Sequence, residues 1–362
     1  MTEATLMPPA QGEVALGLTA EAWHAVCRYA RVRGVGVALD RPPRRCTGGL
    51  ANRNYEVQLA DGGLAVLRMP PPGPLPPGAN DMAREHRILG NLWKALPLAP
   101  RSFLHCEDTS VAGTQFHFLE FRDGIAVRGN SLAPLPPTAA TAARLSALAI
   151  ETLARIHRVE PAAVGLQDLG SPQGFLSRTA KGWISRAAFV CGGDIGGDLR
   201  KVANWLSEYR VEGLGGDGTL LHNDFKLDNL LLDPDTLDAS AVLDWDMGTR
   251  GDALMDLATL LSYWTEPGDP ECMHRLAQMP TALAGFMSRE EAALSYGQAT
   301  GLGLDHFHVY RVLAMFRLSV VFLQLHSRWR SGEVTDARYA GFGLLAHEIA
   351  GYTTSIAEGR IF

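Results

Sequence analysis

Two short segments contain residue types at a spacing that could do chemistry. They are Leu221-His222-Asn223-Asp224-Phe225-Lys226-Leu227-Asp228-Asn229 and Leu243-Asp244-Trp245-Asp246. Asp224 stands two residues after His222, Asn229 follows five residues later, and Asp244 comes directly after an apolar run. Transfer of a phosphoryl group from a nucleotide needs a carboxylate to orient the accepting hydroxyl and further oxygen ligands to hold Mg²⁺ on the phosphates. Asp224 is the candidate for the first task, and Asn229 and Asp244 for the second. His222, Asp228 and Asp246 are candidate supports. Each residue alone would also suit a turn or a helix cap. Acidic and amide residues gathered in two clusters, each beside an apolar run, point to a site.

The elements that must position these residues divide by composition. Residues 1–18 read as a tail, and 19–31 carry Ala22, Trp23, Val26 and Tyr29 at helical spacing. Tyr55–Leu59 and Leu64–Arg68, split by Asp61-Gly62-Gly63, read as a β-hairpin. Pro70 to Pro77 can continue neither strand nor helix, and a helix is expected from about Asp81 to Trp93. Gln115 to Phe121 reads as another strand. From about Ala139 helical periodicity dominates, interrupted between Thr219 and Asp244 by short apolar runs flanking polar clusters. The expected division is a tail at 1–18, a nucleotide-binding lobe at 19–124, and a helical lobe at 125–362 that contains the catalytic and metal-binding loops.

Gly48-Gly49 before the hairpin would let backbone approach phosphate closely. Arg68, on the second hairpin strand, and Glu85, on the following helix, are a candidate ion pair. His117, His157 and the apolar helix at about Val309 to Trp329 are read as packing.

His222 to Leu230 and Val242 to Asp246 resemble the catalytic-loop and metal-site motifs of the aminoglycoside phosphotransferase and choline kinase-like family. Gly251-Asp252-Ala253-Leu254-Met255-Asp256-Leu257-Ala258 extends the match, with Ala253 where that family commonly has proline. The stretch from Gly48 to Tyr55, together with Arg68 and Arg84-Glu85-His86-Arg87, is similar to the subgroup of kinase domains that accompany acyl-CoA dehydrogenases. The resemblance implies an α+β, protein-kinase-like fold: a small N-terminal antiparallel sheet lobe with one main helix, and a larger helical C-terminal lobe. It implies that Gly48, Gly49, Asn52, Arg68 and Glu85 serve the nucleotide. Two departures stand out: Arg68 where kinases place lysine, and Asn223 where the family usually has glycine, which puts a side chain beside Asp224.

The implied activity is Mg²⁺-dependent transfer of the γ-phosphate of ATP or GTP to a small-molecule hydroxyl, with a hydroxylated acyl compound or its thioester as acceptor. An aminoglycoside acceptor is the alternative. It would need an acidic pocket, for which Asp269, Glu271, Glu290 and Glu291 are available. A nucleotide-binding pseudokinase is the third reading, opposed by the presence of Asp224, Asn229 and Asp244. Phe175 to Phe189 and the region after Asp256 are candidate acceptor-lining segments.

The bulk numbers bound these readings. With 46% apolar and 20% charged residues, the 362-residue chain can bury a large core. A net charge of −6 gives no electrostatic reason to expect nucleic acid or an anionic membrane as partner. Five cysteines, odd in number and never spaced C-x-x-C, suggest neither a disulfide framework nor a zinc site and fit the cytoplasm. The most apolar window, around Leu318 to Leu325, reads as too short to span a bilayer.

Overall fold

The computed structural model describes residues 13–15, 17–46, 52–71, 73, 80–209 and 218–359. Gly48 and Gly49 lie outside the described residues. The chain forms two compact units, Met1–Asp123 with Asp244–Met247, and Gly124–Leu243 with Gly248–Phe362.

In the first unit β1 (Glu13–Ala15) pairs with β2 (Leu18–Thr19), within and just beyond the stretch read as a tail. Thr19 then caps α1 (Ala20–Val32), its hydroxyl accepting from the Ala22 amide. The hairpin forms as expected, from β4 (Arg53–Gln58) and β5 (Leu64–Met69). Gly62 takes a φ of 90° in its turn, a conformation that glycine reaches without strain. With β3 (Arg44–Arg45), β6 (Ser102–Cys106) and β7 (Phe116–Glu120) these make a five-stranded antiparallel sheet in the order β3-β4-β5-β7-β6. Tyr55, Val57, Ala65, Leu67, Phe116 and Phe118 bury their side chains with Trp23 and Val26 of α1. Burying each large apolar side chain contributes about 1.5–3 kcal/mol.

Two features of this sheet aim polar groups inward. The β5–β7 register sets Arg68 opposite His117. α2 (Met82–Leu92), capped by Asp81, buries Met82, Glu85, Ile88, Leu89 and Leu92, so Glu85 lies on the helix's apolar stripe.

The second unit is mostly helical, with α3 (Ala139–His157), α4 (Phe175–Val190) and α5 (Gly197–Glu208) leading into two short antiparallel pairs. β8 (Thr219–Leu221) pairs with β11 (Thr249–Gly251), and β9 (Leu230–Leu232) with β10 (Ala239–Val242). α6 (Ala253–Ser262), α7 (Glu271–Leu276), α8 (Arg289–Thr300), α9 (Phe307–Arg330) and α10 (Phe342–Ala357) follow. α9 packs against α10, α6, α4 and α5.

At 24 residues, α9 is long and apolar enough to cross a membrane, where the sequence window had read as too short, because the helix extends that window in both directions. In the structure 72% of its apolar window is buried within the protein, as in a central core helix.

Candidate active site

Arg68 and Glu85 form the centre of the first unit's polar network. Arg68 Nε lies 2.7 Å from Glu85 Oε2, and its Nη2 ion-pairs with Asp244 Oδ1. His117 Nε2 lies 3.2 Å from Glu85 Oε2, and the Trp245 backbone N–H donates to Glu85 Oε1 at 3.2 Å. Burial alone would raise the Glu85 pKa, but Arg68, then His117 and the Trp245 amide, pull it down to about 2. Burial likewise disfavours the Arg68 cation, yet Glu85 and Asp244 hold it firmly protonated. His117 is therefore a polar partner of Glu85 as well as a buried ring. Its Nδ1 contacts Ser102 Oγ at 3.2 Å, and that hydroxyl in turn contacts His86 Nδ1 at 2.7 Å.

Asp244 sits at φ 68°, a left-handed conformation that side-chain-bearing residues adopt at a cost and that marks functional loops. Arg68 takes one of its oxygens. Asp246 is buried and its carbonyl accepts from Arg84 at 3.2 Å. Asn52 is buried too. Its Oδ1 accepts from Asn80 at 2.9 Å, while its Nδ2 is a buried donor without a partner among the described residues.

The second unit contains the other cluster. His222, Asp224 and Asn229 all lie between β8 and β9, where the chain leaves regular pairing. Asp256, near the start of α6, clamps this turn by accepting two amide hydrogens: His222 N–H to Oδ2 and Asn223 N–H to Oδ1, each at 2.7 Å. His157 Nε2 braces the same carboxylate at 3.1 Å, and its Nδ1 meets the Tyr296 hydroxyl at 2.5 Å. Burial would raise the Asp256 pKa, but the bonds to His157 and His222 bring it below the ordinary carboxylate range. His222 is held at both nitrogens: Nε2 lies 2.8 Å from the Leu243 carbonyl, and Nδ1 accepts the Asp224 amide at 3.3 Å. That pattern assigns the proton to Nε2.

Asp224 itself keeps one oxygen open to chemistry. Tyr263 donates its hydroxyl to Oδ1 at 2.7 Å. Among the described residues Oδ2 has only longer neighbours, Asn229 Nδ2 at 3.4 Å and Lys226 Nζ at 3.9 Å. Asn229 Nδ2 donates to the Asp224 carbonyl at 2.8 Å, which leaves the amide oxygen for a cation. Asp228 pairs with Lys226 at 3.4 Å, and burial raises its pKa. Asn223 takes φ 65°, so it does the backbone work of the glycine it replaces.

Among the described residues no group of three or more His, Cys, Asp or Glu side chains gathers as a metal cage. Asn229 in the second unit and Asp244 in the first each offer an oxygen of the kind that Mg²⁺ takes as a ligand.

Sequence reading did not assign Tyr263, Lys226, Asp256 or Arg317 to the site, and took His157 for packing. Asp256 lay within the quoted motif, and Lys226 within the catalytic segment, but neither motif says what their side chains touch. Arg317, on α9, donates to the Asn223 carbonyl at 2.7 Å from 94 residues away.

The family model described as Phosphotransferase enzyme family matches residues 43–292. The chain belongs to this family. Acyl-CoA dehydrogenase family member 10 of Mus musculus is 30% identical over 304 residues, covering 83% of this chain and 28% of the relative. The chain spans between 28% and 40% of the length of the curated relatives it matches. Among solved structures, a candidate aminoglycoside phosphotransferase from Ralstonia eutropha superposes with a TM-score of 0.74 at 23% identity, covering 93% of this chain and 98% of that one. A thermostable mutant of an aminoglycoside phosphotransferase, solved with AMP-PNP and hygromycin B, gives 0.56 at 15% identity over 93% and 99% of the two chains. These likenesses establish the protein-kinase-like α+β fold.

Proposed function

We propose that this phosphotransferase is a Mg²⁺-dependent small-molecule kinase that transfers the γ-phosphate of ATP or GTP to a hydroxylated acyl compound or its thioester. The nucleotide assignment draws support from the AMP-PNP complex of a structural neighbour. The acyl assignment draws support from the relatives' names, which belong to proteins much longer than this chain.

Asp224 is the proposed base. Its Oδ2 takes the proton of the acceptor hydroxyl while the acceptor's own oxygen bonds to the γ-phosphorus. The bond from phosphorus to the β-phosphate oxygen breaks, and the departing nucleoside diphosphate keeps the electron pair. Tyr263 holds the opposite carboxylate oxygen, so the lone pair used is set in advance. Asn229 and Asp244 would hold Mg²⁺, which when bound neutralises charge on the phosphate oxygens. Arg68, steadied by Glu85, and Asn52 are assigned to the nucleotide phosphates, with Gly48 and Gly49 as backbone contributors.

The bond from Tyr263 to Asp224, which leaves Oδ2 open, is the observation that carries this reading. Nucleotide consumption with Mg²⁺ across a panel of hydroxylated small molecules tests it. Asp224→Ala should lower kcat by about 10²–10⁴-fold, the usual contribution of a positioned base; a variant as active as the parent would remove the proposed base. The five cysteines are all unpaired, which supports a reducing, cytoplasmic setting.

A further inference from the structure

Two arginines near the catalytic loop have no acidic partner among the described residues. Half-buried Arg317 gives its hydrogen bonds to neutral acceptors, the Asn223 carbonyl at 2.7 Å and Thr259 Oγ1 at 3.1 Å. Its guanidinium carbon lies 5.8 Å from the centre of the Trp183 ring, and that of Arg186 lies 4.7 Å from the same ring. Neither arginine forms an ion pair among the described residues. The α4 sequence contains Arg178, Lys181 and Arg186 and no acid. Lys226, over the Tyr263 ring at 5.2 Å, is by contrast balanced by Asp228 at 3.4 Å and Asp224 at 3.9 Å.

Among the acids of this lobe, Asp269, Glu266 and Glu291 are engaged in structure. Asp269 ion-pairs with Arg289 and accepts from Tyr352 at 2.9 Å. Glu266 pairs with the same arginine at 3.0 Å. Glu291 closes the capping box of α8, while Glu271 and Glu290 occupy the first turns of two different helices.

We infer that the acceptor is an anion: a hydroxyl compound whose negative group is received by Arg317 and Arg186 beside Trp183, with its hydroxyl at Asp224. This rests on the phosphotransfer reading above. A planar guanidinium pair suits a carboxylate or a phosphate through paired N–H donors. A polycationic sugar or a quaternary amino alcohol would instead meet like charge without a counter-ion. Two sources carry the required negative group, a free hydroxycarboxylate and a hydroxyacyl thioester on a phosphorylated carrier.

Titration calorimetry on the full chain separates these, using 3-hydroxybutyrate, its coenzyme A thioester, the neutral ethyl ester and choline. One or both anions should bind more tightly than the ester and choline, and Arg186→Glu, at an exposed position, should weaken that binding about tenfold. Preference for the acid identifies a carboxylate, and preference for the thioester identifies carrier phosphate. Ester or choline binding as tightly as the anions, or an Arg186→Glu protein with unchanged anion affinity, overturns the inference. Phosphate transfer from ATP, followed in parallel, separates the two readings: anion binding without transfer counts against the kinase assignment and leaves anion recognition standing.

Discussion

Glu85 and Asp224 are two carboxylates in different states of engagement. The Glu85 side chain is 1% exposed and meets Arg68, His117 and the Trp245 amide. The Asp224 side chain is 24% exposed, with one oxygen held by Tyr263 and the other facing only longer contacts. A carboxyl pulled down to about pKa 2 cannot serve as a base near neutrality, but it can fix an arginine. The two units also order their loops differently. The first uses the Arg68 cation against Glu85, while the second uses a carboxylate, Asp256, to grip backbone amides. Charge positions a side chain in one case and a peptide turn in the other.

Breaking the second arrangement should have the largest effect. Asp256→Ala leaves the His222 and Asn223 amides and His157 without their partner in a buried setting, where removing one member of such a network costs about 3–5 kcal/mol. Urea denaturation should report that loss, and kcat should fall with it because the turn carrying Asp224 loses its clamp. Full activity in this variant would show that the clamp is dispensable.

The first arrangement should respond more mildly and chiefly through the nucleotide. Glu85→Gln keeps the shape but removes the charge that steadies Arg68, so kcat/KM for nucleotide should drop by about tenfold or more. If KM for the acceptor moves instead, the assignment of Arg68 to the nucleotide is wrong.

A pH series sharpens the contrast further. Burial, then His105 and His117, lower the His86 pKa from 6.5 to about 4, so its neutral form belongs to the fold. Its contribution is complete above pH 6.5 and is lost as pH falls toward 4. Glu85, depressed from 4.5 to about 2, contributes fully above 4.5 and loses that contribution as pH falls toward 2. Thermal melts should therefore show stability declining in two acid steps, and His86→Gln should flatten the first without altering the second. A flat profile between pH 6.5 and 4 in the parent protein would remove His86 from the account.

Local signals explain what was readable beforehand. The hairpin followed from alternating apolar residues around Asp61-Gly62-Gly63, and α2 from Asp81 as cap with an apolar stripe behind it. β6 escaped notice because Ser102 and His105 interrupt the five residues Ser102–Cys106 with polar groups whose partners lie on other elements. His117 looked like packing for the same reason: its contact with Glu85 arises from cross-strand register and from a helix face, neither of which is encoded next to it. Asp224, Asn229 and Asp244 stood out because their spacing is local. Tyr263 and Arg317 did not, since they reach Asp224 and the Asn223 carbonyl from 39 and 94 residues away.

The smallest expected effect concerns the residue that looked most anomalous. Asn223 replaces a glycine common in the family, and its φ of 65° places it in the left-handed region, where asparagine is the side-chain-bearing residue with least penalty. Asn223→Gly should accordingly change stability by less than about 1 kcal/mol and leave kcat near the parent value, since glycine adopts the same conformation but gains freedom when unfolded. Asn223→Val should cost about 1–2 kcal/mol, because a β-branched residue resists left-handed backbone. The comparison of the two variants isolates backbone from side chain. A large kcat loss in Asn223→Gly with stability retained would mean that the asparagine amide itself takes part at the site, and that the turn clamped by Asp256 does more than hold Asp224.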